Sequence, residues 1–254
     1  MAPPLVAVAH GSRDPRSAAT IAALVDVVRA QAPSLDVRTA FLDLSAPRLP
    51  DVLAALHGAG HRDVVVVPLL LGKAFHARVD LPAMIAEATG RLPRLSVSMA
   101  DVLGPDDRLP AVALRRLLAT GARPGDPSLG VILAAAGSSH APANRAVSAV
   151  AESWAASGTS LGWTGVEAAF ASTARPDVPA AAAALRARGA TRIAVASWFL
   201  APGRLPDRVE SQALAADPTA LVADPLGPDP ALAELVLDRY TAVATSVATT
   251  VRYA

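Results

Sequence analysis

The sequence predicts an α/β protein of two duplicated domains, each a four-stranded parallel sheet flanked by helices. Three observations carry that prediction. Short apolar runs alternate with alanine- and leucine-rich stretches of helical spacing through the first 121 residues. One of those runs, "DVVVVPLLL", is continuously apolar after Asp63, as a strand covered on both faces is. After a break rich in Pro, Gly and Asp, the same plan begins again.

The elements follow in order. "LVAVAH", Leu5 to His10, reads as the first strand, and "SAATIAALVDVVRAQ" as a helix with its apolar residues on one face. "DVRTAFLDL" is the second strand, and "APRLPDVLAALHGAG" a helix closed by glycines. "DVVVVPLLL" is the third strand, followed by the loop "GKAFHARVD" and the helix "LPAMIAEATG". "LSVSMADVL" and "DRLPAVALRRLLATG" supply the fourth strand and helix. Such a β-α-β-α-β-α-β-α order implies parallel strands joined by right-handed crossovers. "ARPGDPS", Ala122 to Ser128, reads as a linker, so domains are expected at 1–121 and 130–254 with 122–129 between them.

The second domain repeats the first. Gly137-Ser138 lies 126 residues after Gly11-Ser12, and "AFASTARP" lies 129 residues after "AFLDLSAP". "IAVASWFLAPGRL" lies the same 129 residues after "VVVVPLLLGKAFH". The repeat is unequal where it matters: Ala136 stands opposite His10, Leu205 opposite His76, and Ser172 opposite Asp43. Groups needed for the fold alone should recur in both copies, so their loss from the second points to a single functional site in the first.

His10 and His76 are placed after the first and third strands, on the carboxyl rim where open α/β sheets bind ligands. Asp43 ends the second strand on the same rim, where turn-capping is the competing role. The rim also carries Ser12, Arg13, Arg16, Arg48, Lys73 and Arg78. Cations around two imidazoles suit an anionic ligand, and Arg13 is the best placed because the Gly-Ser turn constrains it. His57 and His61 fall at the opposite end of the third strand and read as capping or surface residues. His140 aligns with Asp14 and not with His10, and reads as a loop residue.

Composition removes other classes of function. A net charge of +1 gives no basic footprint for nucleic acid. The absence of cysteine excludes disulfides, thiolate metal sites and cysteine nucleophiles, and fits a cytoplasmic setting. The N-terminal apolar run is too short for a signal peptide, and no run is long enough to span a bilayer. No P-loop, dinucleotide fingerprint or G-x-S-x-G elbow occurs.

Taken together, "VAHGSRDPR", "FLDLSAP" and "VPLLLGKAFHARVDLP" resemble the sirohydrochlorin chelatases, the ATP-independent enzymes of siroheme and cobalamin synthesis. The resemblance extends to "WFLAPGRLPDRV" in the second half, as in the long, internally duplicated form. It implies catalytic and metal-binding roles for His10 and His76, and a supporting role for Asp43 at a position where glutamate is common in the family. It further implies no permanently bound cofactor. Fe²⁺ or Co²⁺ (or Ni²⁺) would enter as a substrate beside a carboxylate-rich tetrapyrrole bound by Ser12, Arg13, Arg48, Lys73 and Arg78. Neutral imidazole suits such ions and is a base matched to neutral pH. A monomer is expected, because the chain already carries two copies of the unit.

Two other readings stay open on the residues themselves. A carrier of metal or tetrapyrrole would bind without accelerating insertion. A histidine-dependent phosphoryl-transfer enzyme would also place His-Gly after its first strand, although such enzymes carry arginine where Ala9 stands.

Overall fold

The computed structural model describes residues 2–72, 79–156 and 161–251. In the first half, strands β1 (Leu5–Ala9), β2 (Val37–Phe41), β3 (Asp63–Pro68) and β4 (Ser96–Met99) alternate with helices α1 (Pro15–Gln31), α2 (Leu49–Gly58), α3 (Leu81–Arg91) and α4 (Arg108–Ala119). In the second half, β5 (Leu129–Ala135), β6 (Gly165–Phe170), β7 (Arg192–Trp198) and β8 (Leu221–Val222) alternate with α5 (Ala141–Ala156), α6 (Val178–Ala187), α7 (Arg204–Ala216) and α8 (Pro230–Val251). The strands form two four-stranded parallel sheets, ordered β2-β1-β3-β4 and β6-β5-β7-β8. The fold class is the expected one.

Strand β1 is central in its sheet and wholly buried, which explains why its alternate residues are apolar on both sides. Val6 and Val8, with Val64 and Val66 of β3, face Leu49, Val52, Leu53 and Leu56 of α2 and Leu81 of α3. Each fully buried leucine of that layer contributes about 2 kcal/mol. On the other face α1 buries Ile21, Leu24, Val25 and Val28, at helical spacing, and packs beside α8. Helix α1 starts cleanly: Asp14 caps it by accepting the Arg16 N–H at 2.9 Å, and Pro15 takes the first helical position.

The sequence repeats and the compact units do not share boundaries. One unit comprises Met1–Arg108 with Pro228–Ala254, and the other comprises Leu109–Gly227. Helix α8, last in the second repeat, therefore belongs with the first sheet, where it packs on β3. Its Leu232, Ala233, Leu235 and Val236 are buried, and the Tyr240 hydroxyl donates to the Pro3 carbonyl at 2.7 Å.

Polar contacts fix α8 along the chain that follows β4. Arg239 donates to the carbonyls of Val102 (2.9 Å) and Leu103 (2.8 Å). Arg108 bridges Asp106 and Asp238 at 2.8 and 2.7 Å, and holds the Asp106 carboxyl below the usual range. Helix α4, last in the first repeat, lies in the second unit apart from its first residue. Its Arg116 donates to the Leu226 carbonyl there. Among the described residues no helix is long and apolar enough to cross a membrane.

Candidate active site

The carboxyl ends of β1 and β2 build the described part of the site. Beyond Ala9 and Phe41 the two chains stay paired: Leu42 N–H donates to the Ala9 carbonyl, and Asp43 N–H to the His10 carbonyl, both at 2.9 Å. His10 and Asp43 are thus brought together by backbone, on the rim predicted for them. Immediately after His10 the chain turns at Gly11, whose φ of +93° suits glycine. A methyl group there would sit 1.7 Å from the Asp43 carbonyl oxygen.

The β2 chain then makes a tight turn of its own. Ser45 N–H donates to the Asp43 carbonyl at 2.7 Å across Leu44, which adopts φ +61°. Leu44 is 45% exposed, an unusual position for a leucine outside the core. Ser45 ties this turn to the loop after β1. Its hydroxyl accepts the Ser12 N–H at 3.0 Å and donates to the Ser12 carbonyl at 2.9 Å. The Ser12 hydroxyl in turn accepts the Asp14 N–H at 3.0 Å, so its described contact shapes the loop.

The charged groups differ in what they do. His10 is half-buried, with Nδ1 3.1 Å from the Gly11 carbonyl. A carbonyl only accepts, so this contact is a hydrogen bond in the ring form that carries its proton on Nδ1. Asp43 is exposed, accepts the Leu44 N–H at 2.8 Å and lies 3.4 Å from Arg48 Nη1. Arg48 also donates through Nε to the Leu42 carbonyl. Arg13 is exposed and makes no ion pair among the described residues. Arg16 is committed to Asp14, whose carboxyl it holds below the ordinary range. Lys73, His76 and Arg78 lie outside the described residues. Among the described residues, no three metal-ligating side chains come together.

The second half repeats the backbone without the His10 and Asp43 side chains. Ser172 N–H donates to the Ala136 carbonyl at 3.0 Å, Gly137 has φ +84°, and Thr173 repeats the tight turn at φ +63°. Only the side chains change. A model of the CbiX family matches residues 4–120 and, separately, 130–243. The chain belongs to the CbiX family.

Both CbiX repeats have curated relatives. The chain is 29% identical over 148 residues to the sirohydrochlorin ferrochelatase of Priestia megaterium, covering 57% of this chain and 54% of that protein. It is 25% identical over 207 residues to the sirohydrochlorin cobaltochelatase of the same organism, covering 80% and 66%. The chain therefore spans about half to two thirds of the length of these relatives. Its fold matches that of SirB from Bacillus subtilis with Fe³⁺, with a TM-score of 0.80 at 21% identity over 98% of both chains.

Sequence comparison of the two CbiX repeats misses Ser45, because its role passes to a residue at a non-equivalent position. Opposite Ser45 stands Ala174, which has no hydroxyl. In the second half the Asn144 side chain accepts the Ser138 N–H at 2.9 Å and donates to the Ser138 carbonyl at 2.7 Å. Asn144 is the fourth residue of α5; the fourth residue of α1 is Ala18. Ser45→Ala is expected to cost about 2 kcal/mol, for two lost bonds at a half-buried loop. Adding Ala18→Asn should recover most of it, measured as the urea midpoint. No recovery would mean that the first turns of α1 and α5 aim this position differently.

Proposed function

We propose that this CbiX protein is a sirohydrochlorin chelatase that inserts Fe²⁺ or Co²⁺ into the tetrapyrrole without ATP. The observation that carries the reading is the unequal rim: one backbone, built twice, holds His10 and Asp43 in one copy and Ala136 and Ser172 in the other. The names of the relatives supply the substrate; the residues supply the chemistry.

Insertion must strip water from a dication, deliver it to the pyrrole nitrogens and remove the N–H protons. His10 offers Nε2 as metal ligand or proton acceptor, with its ring oriented from Nδ1 by the Gly11 carbonyl. His76 is the second ligand in this scheme. Two imidazoles hold a borderline dication loosely enough to release it, whereas a closed four-ligand site would retain it. Asp43 lies beside His10 to guide the ion or take up protons. Arg13, Lys73 and Arg78 meet the carboxylates of the substrate, with the Ser12 loop setting the direction of Arg13. The metal is substrate and leaves with the product, so no cofactor remains on the enzyme. The protein works as a monomer in the cytoplasm, with no nucleic-acid or membrane partner.

The test is direct. Purified protein mixed with sirohydrochlorin and either Fe²⁺ or Co²⁺ is expected to change the tetrapyrrole absorbance well above the spontaneous rate. Tight binding of sirohydrochlorin without that acceleration would make the protein a carrier.

A further inference from the structure

Helix α2 starts on a residue poorly suited to the position. Arg48 occupies the N-cap with extended backbone (φ −76°, ψ 149°), and its side chain makes no capping bond. N-caps favour small acceptors that satisfy the first-turn N–H groups, and a cation there also faces the positive end of the helix. The second repeat holds the conventional solution. Opposite Arg48 stands Asp177, which caps α6 by accepting the Ala180 N–H at 3.1 Å. The surrounding backbone is otherwise alike: Phe41 N–H donates to the Pro47 carbonyl and Phe170 N–H to the Pro176 carbonyl, both at 2.9 Å.

The strand-end carbonyl does not require an arginine at the N-cap. The Leu42 carbonyl accepts from Arg48 at 3.1 Å, while its counterpart, the Ala171 carbonyl, accepts from Arg208 of α7 at 3.2 Å. Both repeats therefore satisfy this carbonyl with a guanidinium, but from different elements. The Arg48 placement sets a guanidinium nitrogen 3.4 Å from Asp43. In the second repeat Ser172 replaces that carboxylate, and the arginine lies elsewhere.

We propose that Arg48 is a positioning residue, placed at the N-cap of α2 to hold the Asp43 carboxylate for metal insertion. The proposal rests on the chelatase reading above, and it assigns Arg48 to Asp43 instead of to the substrate.

Arg48→Ser tests it, because serine restores a capping hydroxyl while removing the guanidinium. The melting temperature is expected to stay near that of the wild type, the restored cap offsetting the lost bond to the Leu42 carbonyl. The kcat for insertion should fall about two- to fivefold, the range of a partly exposed ion pair, with KM for sirohydrochlorin unchanged. In an Asp43→Asn background the same substitution should produce no further loss, and Arg48→Lys should recover part of the rate. A raised KM with kcat preserved, or a full additional loss on top of Asp43→Asn, overturns the proposal in favour of direct substrate contact. A wild-type protein without insertion activity would remove the chelatase reading. Crystal structures would still judge the positioning role, through an Asp43 carboxylate held in one orientation in the wild type and dispersed in Arg48→Ser. A carboxylate unmoved by the substitution overturns it.

Discussion

Gly11→Ala is expected to destabilise the protein by on the order of 4 kcal/mol and to reduce metal insertion about a hundredfold in whatever remains folded. Two penalties combine. The backbone at φ +93° disfavours any side chain, and the new methyl group would meet the Asp43 carbonyl oxygen at 1.7 Å and its carbon at 2.9 Å. That carbonyl cannot swing aside. It accepts the Ser45 N–H at 2.7 Å, and the N–H of the same residue is bonded to His10. Relief must come from separating the ends of β1 and β2, the movement that parts His10 from Asp43.

Gly137→Ala is the matched control. Its methyl group would meet the Ser172 carbonyl oxygen at 2.0 Å, with φ +84°, so the loss of stability should be similar. His10 and Asp43 lie in the other repeat, and the rate per folded molecule should stay near the wild-type value. Urea unfolding and single-turnover insertion, both at a temperature where each variant is folded, separate the two effects. Equal loss of rate in both would mean that the second rim takes part in the chemistry.

How much of this was legible in the sequence depends on how local each feature is. The parallel sheets were, because alternating apolar runs and amphipathic helices report burial directly, and every strand and helix predicted for the first half is present. The placement of α8 was not. Its apolar face would cover either sheet, and only tertiary contacts such as Tyr240 with Pro3 assign it to the first unit. At the site, His10 and Asp43 were legible because duplication removed them from equivalent positions. Ser45 and Asn144 were hidden because one job is done from two non-equivalent positions, and Arg48 and Arg208 likewise. The turn at Leu44 carried no glycine or asparagine to announce a positive φ.

The duplication also allows the role of His10 to be separated from any contribution to folding. The His10 carbonyl bonds Asp43 N–H at 2.9 Å and the Ala136 carbonyl bonds Ser172 N–H at 3.0 Å, so the backbone needs no imidazole to form this rim. His10→Ala is therefore expected to cost only about 1 kcal/mol, for the bond from Nδ1 to the Gly11 carbonyl. Its insertion rate should nevertheless fall at least a hundredfold, roughly the lower end of what a positioned base contributes. The reciprocal Ala136→His should leave the wild-type rate unchanged, and His10→Ala with Ala136→His should stay inactive. In the proposed mechanism such an imidazole would lack its partners, because the sequence repeat sets Ser172 opposite Asp43 and Leu205 opposite His76. Insertion at the wild-type rate by His10→Ala would remove this ring from the chemistry. Recovery in the double variant would show that the second rim works with an imidazole alone, without counterparts of Asp43 and His76.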